Sequence, residues 1–245
     1  MNIVVLAAGE GTRMKAEGLP KVLVPIGGKP IVSHLLDAIK ASGVDPKPTL
    51  VIGVHGEMVQ KAFGDSCQYV VQTERLGTGH AVKVTHPLLE PIAKDVMVFY
   101  GDHVLLSPET IRTLSETHVH EGNTLTMATA IVPDFNEWRK SFYDFGRIIR
   151  TADGKLEKIV EKKDATAEEL ACREVNPGYY CFKASWLWTE LEKIKPGNAQ
   201  GEYYLTDLLQ QAVEEKVKIG SIKIEPKEAL GINTKEQLAL VESLL

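Results

Sequence analysis

Small residues and cations crowd the start of this chain. The β-branched run Ile3-Val4-Val5 opens into Leu6-Ala7-Ala8-Gly9-Glu10-Gly11-Thr12-Arg13-Met14, and Pro20-Lys21 follows shortly after. Glycine and alanine let backbone N–H groups approach a ligand that larger side chains would hold off, and Arg13 and Lys21 supply the charge that a polyphosphate needs. The chemistry on offer is the cradling of a nucleoside triphosphate. Two other glycine loops fail on spacing. A dinucleotide fingerprint needs a third glycine where Met14 stands. An ATPase phosphate loop ends in Gly-Lys-Ser/Thr, whereas Gly11 is followed by Thr12-Arg13 and the lysine lies behind a proline. Taken alone, the loop is also compatible with a tight strand-to-helix turn whose cations face solvent.

Such a loop works only if a sheet carries it. Strand-like runs at 3–7, 50–54 and 69–71 alternate with helical patterns at 31–41, 58–63 and 78–89. That alternation predicts crossover units and a parallel sheet. Val96-Met97-Val98-Phe99-Tyr100 is an apolar run of the kind buried on both faces, and it ends at Gly101-Asp102. In open α/β sheets ligands collect at the carboxyl ends of strands, so the loops after Ala7 and Tyr100 should meet at one crevice. Past Thr124 the pattern gives strands at 124–132, 147–150 and 156–160, with a turn at Thr151-Ala152-Asp153-Gly154, which predicts an antiparallel excursion. Helices are expected at 165–172, 185–194 and 205–215, then a strand at 217–224. Thr234 with Gln237 fits a capping box, opening a terminal helix along Leu238, Val241 and Leu245. No repeat or linker interrupts the pattern. The expected organisation is one domain over 1–245, with a nucleotide half over about 1–123, a second-substrate half over about 124–233 and the terminal helix at 234–245.

A chain of 245 residues, 44% hydrophobic and 25% charged, can bury a sizeable core, and a net charge of -5 without a Lys/Arg-rich block excludes a nucleic-acid surface. Cys67, Cys172 and Cys181 form no C-x-x-C pair, which points to free, mostly buried thiols and excludes a disulfide framework or zinc site. No targeting pattern and no run of span length is read, so a cytoplasmic location without membrane contact is expected. His118-x-His120 sits in a polar stretch expected at the exposed end of a helix, Trp186 and Trp188 read as packing residues, and His103 fills a strand-end turn.

Further motifs follow one another along the chain. After LAAGEGTRM (Leu6 to Met14) with PKVL (Pro20 to Leu23) come QTERLGTGHAV (Gln72 to Val82), YGD (Tyr100 to Asp102) and FGRIIR (Phe145 to Arg150). IVEKKDA (Ile159 to Ala165), EVNPGYY (Glu174 to Tyr180) and NAQGEYYLTD (Asn198 to Asp207) complete the series. Together they resemble the uridylyltransferase domain of the bacterial bifunctional N-acetylglucosamine-1-phosphate uridyltransferase family, and the resemblance spans essentially the whole chain. The first motif alone is similar to sugar-phosphate nucleotidyltransferases at large; LGTGHAV and NAQGEYYLTD narrow it toward the N-acetylhexosamine branch. The fold so implied is α/β, a Rossmann-like mixed sheet flanked by helices, of the nucleotide-diphospho-sugar transferase (glycosyltransferase A-like) type with a small antiparallel excursion.

The resemblance implies attack of a sugar 1-phosphate oxygen on the α-phosphorus of UTP, with pyrophosphate leaving and Mg²⁺ as cofactor. Its partners are then UTP and an N-acetylhexosamine 1-phosphate. Such a nucleophile is already ionised at neutral pH, so the protein has only to align two polyanions and neutralise the charge between them. Arg13 is placed on the triphosphate and Lys21 near the α-phosphate; each alone would read as a solvated surface cation. Leu6, Ala7, Ala8, Gly9, Gly11, Thr12, Tyr100 and Gly101 are placed around the nucleotide. Asp102, a carboxylate at a strand end, suits a hard cation that binds phosphates directly. The second metal ligand so implied is Asn233 in Leu230-Gly231-Ile232-Asn233, which by residue type alone reads as a helix cap. The Gln72 amide can both donate and accept toward uracil's imide, helped by the backbone of Leu6 to Gly9 and of Gly77-Thr78; by itself it is an ordinary polar residue at a strand end. Sugar contacts carry over to Gly146, Glu161, Asn176 and Thr206, with Tyr204 nearby, each of which in isolation is a surface polar position.

Three departures stand against the family pattern. The loop between Met14 and Pro20 is one residue longer than usual, YGDxPL reads Tyr100-Gly101-Asp102-His103-Val104-Leu105 without its proline, and the usual Gly-Tyr before GRI is Asp144-Phe145. The family continues into a hexapeptide-repeat acetyltransferase domain whereas this sequence ends at Leu245, so no acetyl transfer is expected. The expected activity is synthesis of UDP-N-acetylglucosamine, a cell-wall precursor. Use of N-acetylgalactosamine 1-phosphate or glucose 1-phosphate stays open, as do a catalytically silent regulatory homologue and assembly into a homo-oligomer. Retention of Arg13, Lys21, Asp102 and Asn233 weighs against silence.

Overall fold

The computed structural model describes residues 1–9, 11, 14, 18–196 and 201–245. Its first half runs β1 (Asn2–Ala7), β2 (Pro25–Ile26), β3 (Lys29–Pro30), α1 (Ile31–Ser42), β4 (Thr49–Ile52), α2 (Glu57–Phe63), β5 (Gln68–Val71), α3 (Thr78–Lys83), α4 (His86–Leu89), β6 (Asp95–Tyr100) and α5 (Pro108–Glu121). The second half runs β7 (Leu125–Ile131), β8 (Arg147–Arg150), β9 (Leu156–Val160), α6 (Ala167–Leu170), β10 (Glu174–Val175), β11 (Tyr180–Lys183), α7 (Ala184–Leu191), α8 (Asp207–Glu214), β12 (Ile219–Ile224) and α9 (Lys235–Glu242).

Side-chain parity sets the layers. In β1, Ile3 and Val5 join one apolar cluster and Val4 the other; in β6, Met97 and Phe99 face the first and Val96 and Val98 the second. Leu35 and Ile39 of α1 with Ile111 and Leu114 of α5 close one face of the sheet, while Val82 of α3, Leu187 of α7 and Leu208 of α8 close the other. This two-sided cover is why the central strands carry continuous apolar runs. The sheet order is β5-β4-β1-β6-β11-β7-β10-β8-β9, with β12 on the other edge of β7. The first four strands of that order are parallel, and β11 enters antiparallel between β6 and β7.

Several expectations change. The helix at 78–89 is two helices, α3 and α4: Pro87 in the first turn of α4 has no N–H to continue a ladder, and the Thr85 hydroxyl donates to the Val82 carbonyl at the break. The helix at 165–172 shortens to α6, started by a Thr166–Glu169 capping box. Leu245 lies beyond the end of α9 and is 55% exposed. His118 is buried, with Nδ1 2.9 Å from Thr126 Oγ1 and Nε2 3.3 Å from Asp95 Oδ1, so only His120 of that pair faces solvent. All three cysteines are free, and no helix among the described residues is long and apolar enough to cross a membrane.

Candidate active site

A break in one strand opens the site. β10 and β11 both run antiparallel to β7, pairing near its end and its start respectively, and the chain between them leaves the ladder at Asn176-Pro177-Gly178. Gly178 has φ +86, and a Cβ there would lie 2.5 Å from the Tyr100 ring, so only glycine lets this crossing rest on Tyr100. The three residues thereby line a cavity of about 750 Å³ at the carboxyl ends of β1 and β6.

The cavity is walled in part by Leu6, Ala7, Ala8 and Gly9, by Gln72, and by Gly77-Thr78. Gln72 is buried at the end of β5; its Nε2 donates to the Gly77 carbonyl at 3.2 Å and lies 3.1 Å from His80 Nδ1. Gly77, at φ +100, is pressed against the Tyr203 backbone, and Leu205 N donates to Thr78 Oγ1 at 2.9 Å. This pins the start of α3. Gly101 lies behind the wall, its N–H donating to the Leu6 carbonyl at 2.9 Å, and Gly11 lies against the stem of Lys21. Neither lines the cavity. Thr12 and Arg13, and Asn198 to Gln200 of the last motif, lie outside the described residues.

Lys21 lines the same cavity. Pro20 and a single 3-10 turn, Lys21–Leu23, project its ammonium to 2.5 Å from Asp102 Oδ2 and 3.1 Å from Asn233 Oδ1. Behind the longer loop, Lys21 still reaches Asp102. Burial raises the cost of charge on Asp102, but Lys21 outweighs it and holds the carboxyl below its usual range. The cap reading of Asn233 is corrected: Thr234 caps α9, while Gln237 Oε1 accepts from the N–H groups of Asn233 and Thr234 at 2.7 and 3.1 Å. Relieved of capping, the Asn233 side chain turns to the ammonium. Two oxygens thus converge on one cation. No group of three or more His, Cys, Asp or Glu among the described residues could hold a metal, so a cation here would need oxygens from elsewhere as well. His103 does more than fill a turn: it is buried, and its Nδ1 hydrogen-bonds the Tyr179 hydroxyl, which donates to the Glu228 carbonyl at 2.6 Å.

Gly146, Glu161, Asn176 and Thr206 also line the cavity; Tyr204 does not. Burial pushes the Glu161 carboxyl up, opposed by Lys163 and by a hydrogen bond from Thr206. Burial likewise pushes the Tyr100 phenol up to about 12, keeping it a protonated donor. Asn176 meets the Tyr180 hydroxyl through both amide atoms and accepts from Gly178 N at 3.1 Å. Residues not named as contacts in the sequence reading complete the wall, including Arg75, Tyr180 and Glu202, and so does the altered pair Asp144-Phe145. Arg75, Phe145, Tyr180 and Glu202 sit inside quoted motifs, which was the available signal. Buried Arg147 donates to the carbonyls of Phe145 and Tyr143 and lies 4.8 Å from the Phe135 ring, fixing the Asp144-Phe145 segment from behind.

Residues 3–211 match the family model described as MobA-like NTP transferase domain. The bifunctional proteins GlmU of Clostridium perfringens and Clostridium novyi are 40% and 42% identical to this chain, over 99% and 100% of its length. The chain spans about half the length of these relatives, 51% and 52%. A crystal structure of a UDP-glucose pyrophosphorylase complexed with UDP-glucose shares the fold with a TM-score of 0.77 at 18% identity, covering 99% of this chain and 97% of that one.

Proposed function

The chain belongs to the MobA-like NTP transferase family, and from that premise we propose that it transfers UMP from UTP to N-acetylglucosamine 1-phosphate, releasing pyrophosphate. One observation carries the reading: the Lys21–Asp102–Asn233 cluster lines a single cavity together with the amide-rich Leu6 to Gly9 and Gly77-Thr78 segments and with Glu161, Asn176 and Thr206. The amide-rich wall suits a nucleotide, and the wall of Glu161, Asn176 and Thr206 suits a sugar.

In this reaction a sugar-phosphate oxygen bonds to the α-phosphorus as the bond to the pyrophosphate oxygen breaks. The phosphate nucleophile is ionised, so no base is required of the protein, in keeping with a site centred on a lysine. Lys21 neutralises the α-phosphate, and the β1 loop offers its N–H groups to the phosphates. Gln72 Oε1 accepts the N–H of the uracil imide. Glu161 accepts from a sugar hydroxyl, and the remaining N–H of Asn176 donates to a hydroxyl or to the acetamido carbonyl.

Mg²⁺ fits the donors present, because the Asp102 and Asn233 oxygens already share one ammonium. Asp102 and Asn233 would hold it alongside substrate phosphates and water, and when bound it neutralises charge on the phosphates.

Pyrophosphate release, measured with Mg²⁺ across UTP, dTTP, CTP and GTP paired with a panel of sugar 1-phosphates, tests the reading. UTP with N-acetylglucosamine 1-phosphate should be the fastest pair. Preference for dTTP with glucose 1-phosphate would overturn the uridylyl assignment, and no release from any pair would overturn the enzyme. Transfer to another hexose phosphate is favoured by one feature, the presence of Asp144 and Phe145 on the sugar-side wall. The panel therefore includes N-acetylgalactosamine 1-phosphate.

A further inference from the structure

Gln72 reads a base correctly only if its amide cannot turn over. A glutamine amide rotated by half a turn exchanges acceptor for donor at the same place, which would exchange uracil, with its imide N–H, for cytosine, with a bare ring nitrogen. Two groups act against that rotation here. The Gly77 carbonyl, 3.2 Å from Nε2, can only accept, and so demands the NH₂ end. His80 Nδ1, 3.1 Å from the same nitrogen, takes its second hydrogen, which requires the imidazole to carry its proton on Nε2. Both amide hydrogens are thereby committed behind the wall, and among the described residues no hydrogen bond reaches Oε1. Oε1 is the amide atom left to accept from a ligand.

We infer that His80 is a positioning residue for base selection: its Nδ1 lone pair, with the Gly77 carbonyl, locks Gln72 in the orientation that accepts from a uracil imide and rejects cytosine. The inference rests on the uridylyl reading above and adds to it the residue that sets its discrimination. His80 sits on the first turns of α3, whose start is held by Thr78 and the Tyr203 backbone, and its ring lies 6.5 Å from the Tyr203 ring. The lock is thus built on a helix and not on a free loop. Turning the amide over would set Oε1 against the Gly77 carbonyl, and against His80 Nδ1 as well while the imidazole proton stays on Nε2.

The test is the binding of UTP and of CTP by calorimetry, together with kcat/KM for each, in wild type, His80→Phe and His80→Asn. Phenylalanine keeps a ring against Tyr203 and removes the acceptor; asparagine places an oxygen near the position of Nδ1. His80→Phe should lower the UTP-over-CTP preference about tenfold, with the loss in UTP affinity and KM, and His80→Asn should restore most of it. Should His80→Phe not fold, His80→Leu carries the same comparison. Equal losses for both nucleotides, or an unchanged ratio, would mean that His80 only packs and would overturn the inference while leaving the uridylyl reading standing. A wild-type protein without preference for UTP would overturn both.

Discussion

Lys21 and Asp102 hold each other at 2.5 Å, and the Asn233 oxygen lies 3.1 Å from the same ammonium, so the protein's own cation stands where the two oxygens proposed to hold Mg²⁺ converge. A divalent ion arriving without nucleotide must displace a charge of its own sign. Phosphates arriving with it give Lys21 somewhere else to go. Lys21→Met should therefore bind Mn²⁺ about tenfold more tightly than wild type in the absence of nucleotide, read by titration of water proton relaxation, while losing most transfer activity. Equal nucleotide-free affinity in the two proteins would show that the ammonium does not compete for this position.

Asp102 is the carboxylate of that cluster, held ionised by Lys21 against the effect of burial. Asp102→Ala should reduce turnover about 10³-fold, and chelation of divalent ions from the wild type should produce a comparable loss. Substantial activity in the variant, still abolished by chelator, would place the metal on other residues.

How much of this was legible beforehand follows from which residues act locally. The parallel strands and their helices were readable because each covers its own face with its own periodicity, and Asp102 because it ends an apolar run. The Asn233 contact with Lys21 was not readable from residue type: an asparagine before a helix usually caps it, and only the Thr234–Gln237 box, seen folded, takes the capping away from it. β11 was hidden for a different reason. It is four residues long, and it forms because β6 and β7 flank it from distant parts of the chain. His80 was hidden because its partner is a side-chain amide whose orientation depends on a carbonyl five residues away from it in sequence.

Glu161 shows function set against stability. Burial holds its carboxyl above the usual range, so the folded state takes up a proton that the unfolded state does not between the ordinary value of 4.5 and the raised one. Above that window the ionised group burdens the fold. Glu161→Gln should accordingly raise Tm at pH 7, an advantage that disappears below pH about 4.5, where both states of the wild type are protonated. The same variant should raise KM for the sugar phosphate about 10- to 100-fold, the loss expected for a hydrogen bond to a charged acceptor, with KM for UTP little changed. A lowered Tm together with an unchanged sugar KM would remove Glu161 from the sugar wall.

His118 should govern part of the acid sensitivity of the fold. Burial lowers its pKa more than nearby Asp95 raises it, and Nε2 sits 3.3 Å from Asp95 Oδ1 without the alignment of a hydrogen bond. As pH falls below about 6.5 the unfolded chain protonates this imidazole and the folded one does not, so stability is present above that pH and is lost on the way down to the depressed folded value. Each such proton contributes a slope of up to about 1.4 kcal/mol per pH unit. His118→Gln, which keeps a hydrogen-bonding end for Thr126, should show a shallower fall of the urea midpoint between pH 7.5 and 5.5 than wild type. His103, also lowered by burial, supplies a remaining slope common to both proteins. Parallel curves for variant and wild type would assign the acid sensitivity to groups other than His118.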